Sequence, residues 1–260
     1  MAGNYFQVTL DKLPEAKRAD AVEICINPDG SIWGEFQGDH FMSRLETVWD
    51  TRQIGDLATQ IAAAAETKIS RDKPIVSCSV DYHGRAVRAQ VIQDPVVRGG
   101  YSIALRFFST MSLDDIKLKF LFGEEISLEN NRKERNLELR KIVLAGDIDA
   151  AIKFCVDKRL NVIVSGGTST GKTVACRKII NYIDEAERLI TIEEAAELVP
   201  TQPNTVTLIS NRDVPVQMAD VLLTSTLRMR PDRIILGEVR GKEALTLSLI
   251  HISEPTRRTP

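Results

Sequence analysis

The chain has 260 residues, 43% hydrophobic and 27% charged, which at ~100 to 200 residues per domain allows one large domain or two. Its 34 basic and 36 acidic side chains leave a formal net charge of -2, excluding a polybasic histone-like or membrane-surface protein but not a local basic patch. No apolar run approaches the ~18 to 20 residues of a membrane helix, and the N-terminus lacks a signal-peptide stretch, so a cytoplasmic protein is expected.

In chain order, VEICI at 22 to 26, the NPDG turn at 27 to 30 and SIWGEF from 31 read as a β-hairpin. Ile54, Leu57, Ala58 and Ile61 fall at i, i+3, i+4, i+7, the stripe of an amphipathic helix over 54 to 65. Strands follow at about 75 to 80, 86 to 92 and 101 to 107, broken by HG, DP and GG. Residues 1 to 122 therefore read as an α+β domain. The polar run 123 to 141 carries charges of both signs; a solvated helix is compatible with it, but an interdomain linker is the favoured reading.

From 142 to 246 the rhythm changes. Asp147 is placed to cap a helix with Ile148, Ala151, Ile152 and Cys155 on one face. LNVIVSG then reads as a strand, VACRKIINYI as a helix, RLITIE and TVTLIS as strands, VQMADVLLTSTL as a helix and RIILGE as a strand. Continuous apolar strands separated by helices indicate a sheet covered on both faces, hence an α/β domain. Cys25, Cys78, Cys155 and Cys176 form no C-x-x-C pair and read as packing residues, and three histidines offer little to a metal site.

Gly166, Gly167, Thr168, Ser169, Thr170, Gly171, Lys172 and Thr173 fit G-x-x-x-x-G-K-[ST], between an apolar run and a helix. In this pattern glycines admit a phosphate to the backbone, loop N–H groups and the helix N-terminus supply positive potential, and Lys172 reaches the outer phosphate oxygens. Thr173 is the residue placed to bind Mg²⁺. Glu238 ends the RIILGE strand and is assigned to orient or deprotonate water; the competing reading is a plain surface Glu. Glu193 and Glu194 close LITIE, and because neighbours on a strand point to opposite faces, one of them, Glu194, is taken as the metal-side carboxylate. Arg228, Arg230, Arg233 and Arg240 cluster around Glu238. For Arg228, Arg230 and Arg240, transition-state stabilisation and pairing with nearby acids stand as equal readings.

GGTSTGKT, RLITIEEAAEL and LRMRPDRIILGEVRG, in that order, resemble the secretion and pilus motor ATPases, most closely the type IV secretion and conjugation branch. The resemblance makes the Lys172 segment a Walker A motif, ITIEE the so-called Asp box and the Glu238 segment Walker B, in a RecA-like P-loop domain. It implies ATP and Mg²⁺ as cofactors, and catalytic roles for Lys172, Glu193, Glu194, Glu238, Arg228 and Arg240. In the first half Arg88 and Arg106 match positions where that family presents arginines to the nucleotide; by composition alone they are ordinary strand-surface residues. A homo-hexamer is implied, peripheral to the inner membrane and partnered by secretion-channel inner-membrane proteins, with direct nucleic-acid binding left open.

Alternatives are a pilus-retraction or type II secretion motor, some of which carry a zinc-binding cysteine cluster that this sequence lacks, a small-molecule kinase or GTPase, and a nucleotide-binding ring subunit without turnover. An N-K-x-D guanine motif is absent. The family pattern continues through a Gly-His segment that this sequence lacks. LSLIHISEPTR, Leu247 to Arg257, back-translates to a sequence resembling a transposase adapter. Residues 247 to 260 are therefore expected to be a non-native tail on a truncated ATPase domain.

Overall fold

The computed structural model describes residues 5–108, 128–241 and 243–247. The chain divides into two compact units, one formed by the described residues of Met1–Thr110 and Glu185–Pro260, the other by those of Met111–Asp184. Neither unit coincides with the expected division at 123 to 141. The expected tail lies outside the described residues apart from Leu247.

The first unit contains a six-stranded antiparallel sheet, ordered β3-β2-β1-β6-β5-β4. Its strands are β1 (Ala21–Ile26), β2 (Ser31–Phe36), β3 (Ser43–Val48), β4 (Ile75–Tyr82), β5 (Arg85–Gln93) and β6 (Tyr101–Phe107). The NPDG hairpin forms as expected. Gly30 has φ +87°, and a Cβ there would overlap the Trp49 carbonyl oxygen, so only glycine suits the position. His83 and Gly84 both have positive φ, the two-residue turn whose twist matches paired strands. The sequence reading missed β3, whose exposed edge lacks a continuous apolar signal.

Helix α1 (Tyr5–Leu10) and α2 (Thr51–Ala64) cover one face of this sheet. Asp50 caps α2 by accepting from Gln53 N while the Gln53 side chain accepts from Asp50 N. Ile54, Leu57, Ala58 and Ile61 are buried, as their spacing requires. The opposite face buries Cys25, Trp33, Met42 and Ala104.

A second, parallel sheet in the same unit has the order β8-β7-β9, with β7 (Leu189–Glu193), β8 (Thr205–Ile209) and β9 (Arg233–Leu236). Helix α6 (Ala219–Thr226) contributes Leu222 and Leu223 to its core, together with Ile190, Ile192, Val206 and Leu208. Val96 and Val97, following β5, enter that same core, and Ile209 N donates to the Val96 carbonyl at 2.7 Å.

Charged groups also join the sheets. Arg230 Nε donates to Glu35 at 2.7 Å and Nη1 to Asp232 at 2.7 Å. Arg188, fully buried, donates to Asn27 at 2.7 Å, to the Met229 carbonyl at 2.9 Å and to Asn204. These arginines hold the fold together.

The second unit contains α3 (Leu128–Leu144), α4 (Ile148–Asp157) and α5 (Lys172–Ile180). The favoured linker reading is corrected from residue 128 onward: this stretch is a solvated helix, supported by a Glu129–Lys133 pair at 2.8 Å. Its Glu, Lys, Arg and Leu residues favour helix without needing burial. Asp147 caps α4 as expected, accepting from Ala150 N at 2.8 Å. The buried positions of α4 are Ala151, Phe154 and Val156, whereas Ile148 is 72% exposed. The expected LNVIVSG strand does not form: residues 161–167 belong to neither sheet, and Ile163 is 91% exposed. An apolar run states a preference for burial, but a strand exists only through pairing.

Candidate functional site

The phosphate-loop residues lie in the second unit. Ser169 and Gly171 have φ of 58° and 85°, and Gly171 occupies the N-cap of α5 in the left-handed conformation. Without a Cβ penalty it turns the chain into a helix whose first N–H groups point back at the loop. A Cβ on Gly166 would lie 2.8 Å from Thr170 Oγ1, so the cradle needs glycine there as well. Thr170 Oγ1 donates to the Gly167 carbonyl at 2.9 Å, and the Lys172 ammonium folds back onto that same carbonyl. Gly166, Gly167, Thr168, Ser169, Thr170, Gly171 and Thr173 are all exposed. Backbone N–H groups at a helix start beside an ammonium are the donor types that bind phosphate.

The acidic residues lie in the first unit. β7 and β9 are parallel neighbours in the register Ile192↔Leu236, so both chains leave the sheet at the same edge. A Cβ on Gly237 would approach Glu193 Cγ to 3.2 Å, and Gly237 N donates to the Ile192 carbonyl at 2.8 Å. Glu193 is buried and accepts from Thr191 Oγ1 at 2.9 Å, Glu197 N at 2.8 Å and Leu198 N at 2.9 Å. Those bonds make it the organiser of the loop after β7. Glu194 and Glu238 are more open and share one cation: the Arg212 guanidinium pairs with both. Arg240 holds the other Glu238 oxygen at 2.6 Å.

The sequence reading missed Arg212. It follows β8 as Glu194 follows β7 and Glu238 follows β9, so the rule that singled out the acids would have found it. Partial desolvation opposes the charge on Arg212, yet its bond to Glu194 and the field of Glu238 raise its pKa above the ordinary arginine value.

The arginines separate by environment. Arg228 is exposed after α6. Arg230 is buried among Glu35, Asp232 and Glu23, and Arg233 is paired with Glu187 at 2.7 Å, which places both in structural ion pairs. Arg88 and Arg106 are exposed register partners on β5 and β6, in a row that continues through Glu23 to Glu35. Like charges directly opposite on a sheet repel. Arg88 also lies over the Phe108 ring at 5.6 Å. Among the described residues no cluster of three or more His, Cys, Asp or Glu is placed to hold a metal, and no helix is long and apolar enough to cross a membrane.

A family model described as Type II/IV secretion system protein matches residues 109–252, more than half of the 260-residue chain. Over 233 residues the chain is 30% identical to the probable conjugal transfer protein TrbB of Sinorhizobium fredii, covering 88% of this chain and 63% of that protein. It is 30% identical over 231 residues to the protein VirB11 of Rhizobium radiobacter, covering 85% and 66% respectively. Its mixed α/β fold matches the VirB11 ATPase of the Brucella suis type IV secretion system, solved in complex with sulphate, with a TM-score of 0.78 at 27% identity, over 95% of this chain and 75% of that one. The chain thus spans 63% of the length of the TrbB relative. With more than half its length inside the family model and a fold shared with a VirB11 ATPase, the chain belongs to the type II/IV secretion system protein family.

Proposed function

We propose that this chain is the nucleotide-hydrolysing part of a hexameric motor ATPase that powers type IV secretion or conjugal transfer from the cytoplasmic face of the inner membrane. The proposed organisation is an α+β domain over 1 to 122 followed by a RecA-like P-loop domain over 142 to 246. Gly166 to Thr173 cradle the triphosphate of ATP, with Lys172 neutralising the outer phosphates. Thr173 and Glu194 are the residues that would hold Mg²⁺, which when bound neutralises phosphate charge. Glu238 accepts a proton from the water that attacks the terminal phosphorus, and ADP leaves with the displaced oxygen. Arg88 and Arg106 supply positive charge from the first domain, and Arg228 and Arg240 are the remaining candidates for neutralising charge in the transition state.

The observation that favours hydrolysis over mere binding is the meeting of Glu194 and Glu238 at one edge of the parallel sheet. One feature favours a second reading, a nucleotide-binding ring subunit without turnover: each Glu238 oxygen is already held by a guanidinium. Two variants separate the readings. Lys172→Ala is expected to lose nucleotide binding, while Glu238→Gln is expected to bind ATP normally and to hydrolyse at least ~100-fold more slowly. Fluorescent-nucleotide binding and phosphate release measure the two properties. Wild-type turnover in Glu238→Gln removes the assignment of Glu238, and a wild-type chain that binds without turnover establishes the second reading.

A further inference from the structure

Three parallel strands lie side by side as β8-β7-β9, and each is followed at the same edge by a charged residue: Arg212 after β8, Glu194 after β7 and Glu238 after β9. Ends of parallel strands are where α/β sheets present reactive groups. Arg212 lies in the turn that follows one outer strand, and Glu238 follows the other, so the guanidinium ties segments from both outer strands past the end of β7. It does so with two different nitrogens: Nε pairs with Glu194 and Nη2 with Glu238. A planar fork can hold two carboxylates at once in fixed geometry, and a single ammonium cannot.

The backbone beneath Arg212 is itself anchored. Ser210 N donates to the Glu193 carbonyl at 2.8 Å, Asn211 N to the Gln217 carbonyl at 2.9 Å, and Asp213 N to Asn211 Oδ1 at 2.9 Å. The other partner of Glu238 differs in kind. Arg240 belongs to the same short segment that leaves β9, and its backbone N–H is capped by Glu243 of that segment. A bond from Arg240 moves with Glu238. The bond from Arg212 connects Glu238 to a different strand, and so fixes the carboxylate relative to the sheet.

We propose that Arg212 is a positioning residue which ties Glu194 to Glu238 and holds the Glu238 carboxylate in place for turnover, an inference that rests on the ATPase reading above. Removing the guanidinium leaves two carboxylates without the cation between them, and leaves Glu238 tied through Arg240 to its own segment rather than to the neighbouring strand. A reacting group displaced by about 1 Å loses on the order of 100-fold in rate.

Two measurements on the full chain test this. The first is steady-state hydrolysis together with fluorescent-nucleotide affinity. Arg212→Gln is expected to lower kcat about 10- to 100-fold with nucleotide affinity within twofold of wild type. Arg212→Lys should recover only part of the loss, because an ammonium cannot span both carboxylates. A kcat for Arg212→Gln within twofold of wild type, or a loss confined to affinity, overturns the proposal.

The second measurement needs neither nucleotide nor turnover. The ¹⁵N-detected Nε–H resonance of Arg212 should shift in Glu194→Gln and also in Glu238→Gln, and a resonance unmoved in either variant overturns the tie. If the wild-type chain hydrolyses nothing while this resonance responds to both substitutions, the ATPase reading falls and the tie stands. The spectra also serve should Arg212→Gln fail to fold.

Discussion

At Arg230 the sequence suggests chemistry that its surroundings deny. The LRMRPDR run offers several arginines near a candidate catalytic glutamate, but Arg230 is 6% exposed and is bound to Glu35, from a strand almost 200 positions earlier. Burial opposes its charge, and the bond to Glu35 with the field of Asp232 more than offsets this, leaving its pKa raised. Breaking a buried pair by removing one partner strands the other charge. Arg230→Met should therefore cost about 3 to 5 kcal/mol in equilibrium urea unfolding; a loss under about 1 kcal/mol would mean the carboxylates remain well hydrated. Gly30→Ala meets a different obstacle, a left-handed backbone with the Trp49 carbonyl where the methyl would go. At least ~1 kcal/mol should be lost there, and an unchanged unfolding midpoint would show that the 48–49 backbone yields.

Elements in this chain form where local signals and burial agree. α2 has both a capping box at Asp50 and Gln53 and an apolar stripe, and the sequence placed it correctly. Asp50→Ala should lower stability by about 1 kcal/mol in thermal unfolding, and no change would mean that the box is redundant with packing. α1 is fastened differently. Asp11, just beyond its end, accepts from Tyr82 Oη at 2.7 Å and lies 2.9 Å from His83 Nε2. The bond from Tyr82, followed by that from His83, lowers the Asp11 pKa below the usual carboxylate range. A lowered folded-state pKa stabilises above the unfolded-state value, and that contribution disappears as pH falls through the folded-state pKa. Wild type should consequently lose more stability than Asp11→Asn between pH 5 and pH 2, as followed by urea midpoints across that range; parallel curves would remove Asp11 from the account. α3 formed without a burial signal, because propensity and side-chain pairs suffice for a solvated helix.

For the whole molecule, the proposed hexamer makes activity depend on assembly. Specific hydrolysis should rise with protein concentration and level off as hexamers form in native mass spectrometry, and a flat profile with monomers only would contradict it. Arg88→Ala and Arg106→Ala should each slow turnover about tenfold if the first domain contributes to the phosphate site, while wild-type rates would restrict that site to the second domain. The sequence by itself determined the hairpin at 22 to 36, the strands on either side of His83 and Gly84, the apolar stripe of α2, the Asp147 cap of α4, and strands β7 and β9. All depend on short-range rules: a φ that only glycine tolerates, a period of two or 3.6, a cap three residues from its donor. Tertiary structure alone decided that Arg230 and Arg188 are structural, that Arg212 stands between Glu194 and Glu238, and that LNVIVSG joins neither sheet. Those outcomes depend on partners tens to hundreds of residues away, and a charge or an apolar run carries no record in its own neighbourhood of which distant group will pair with it.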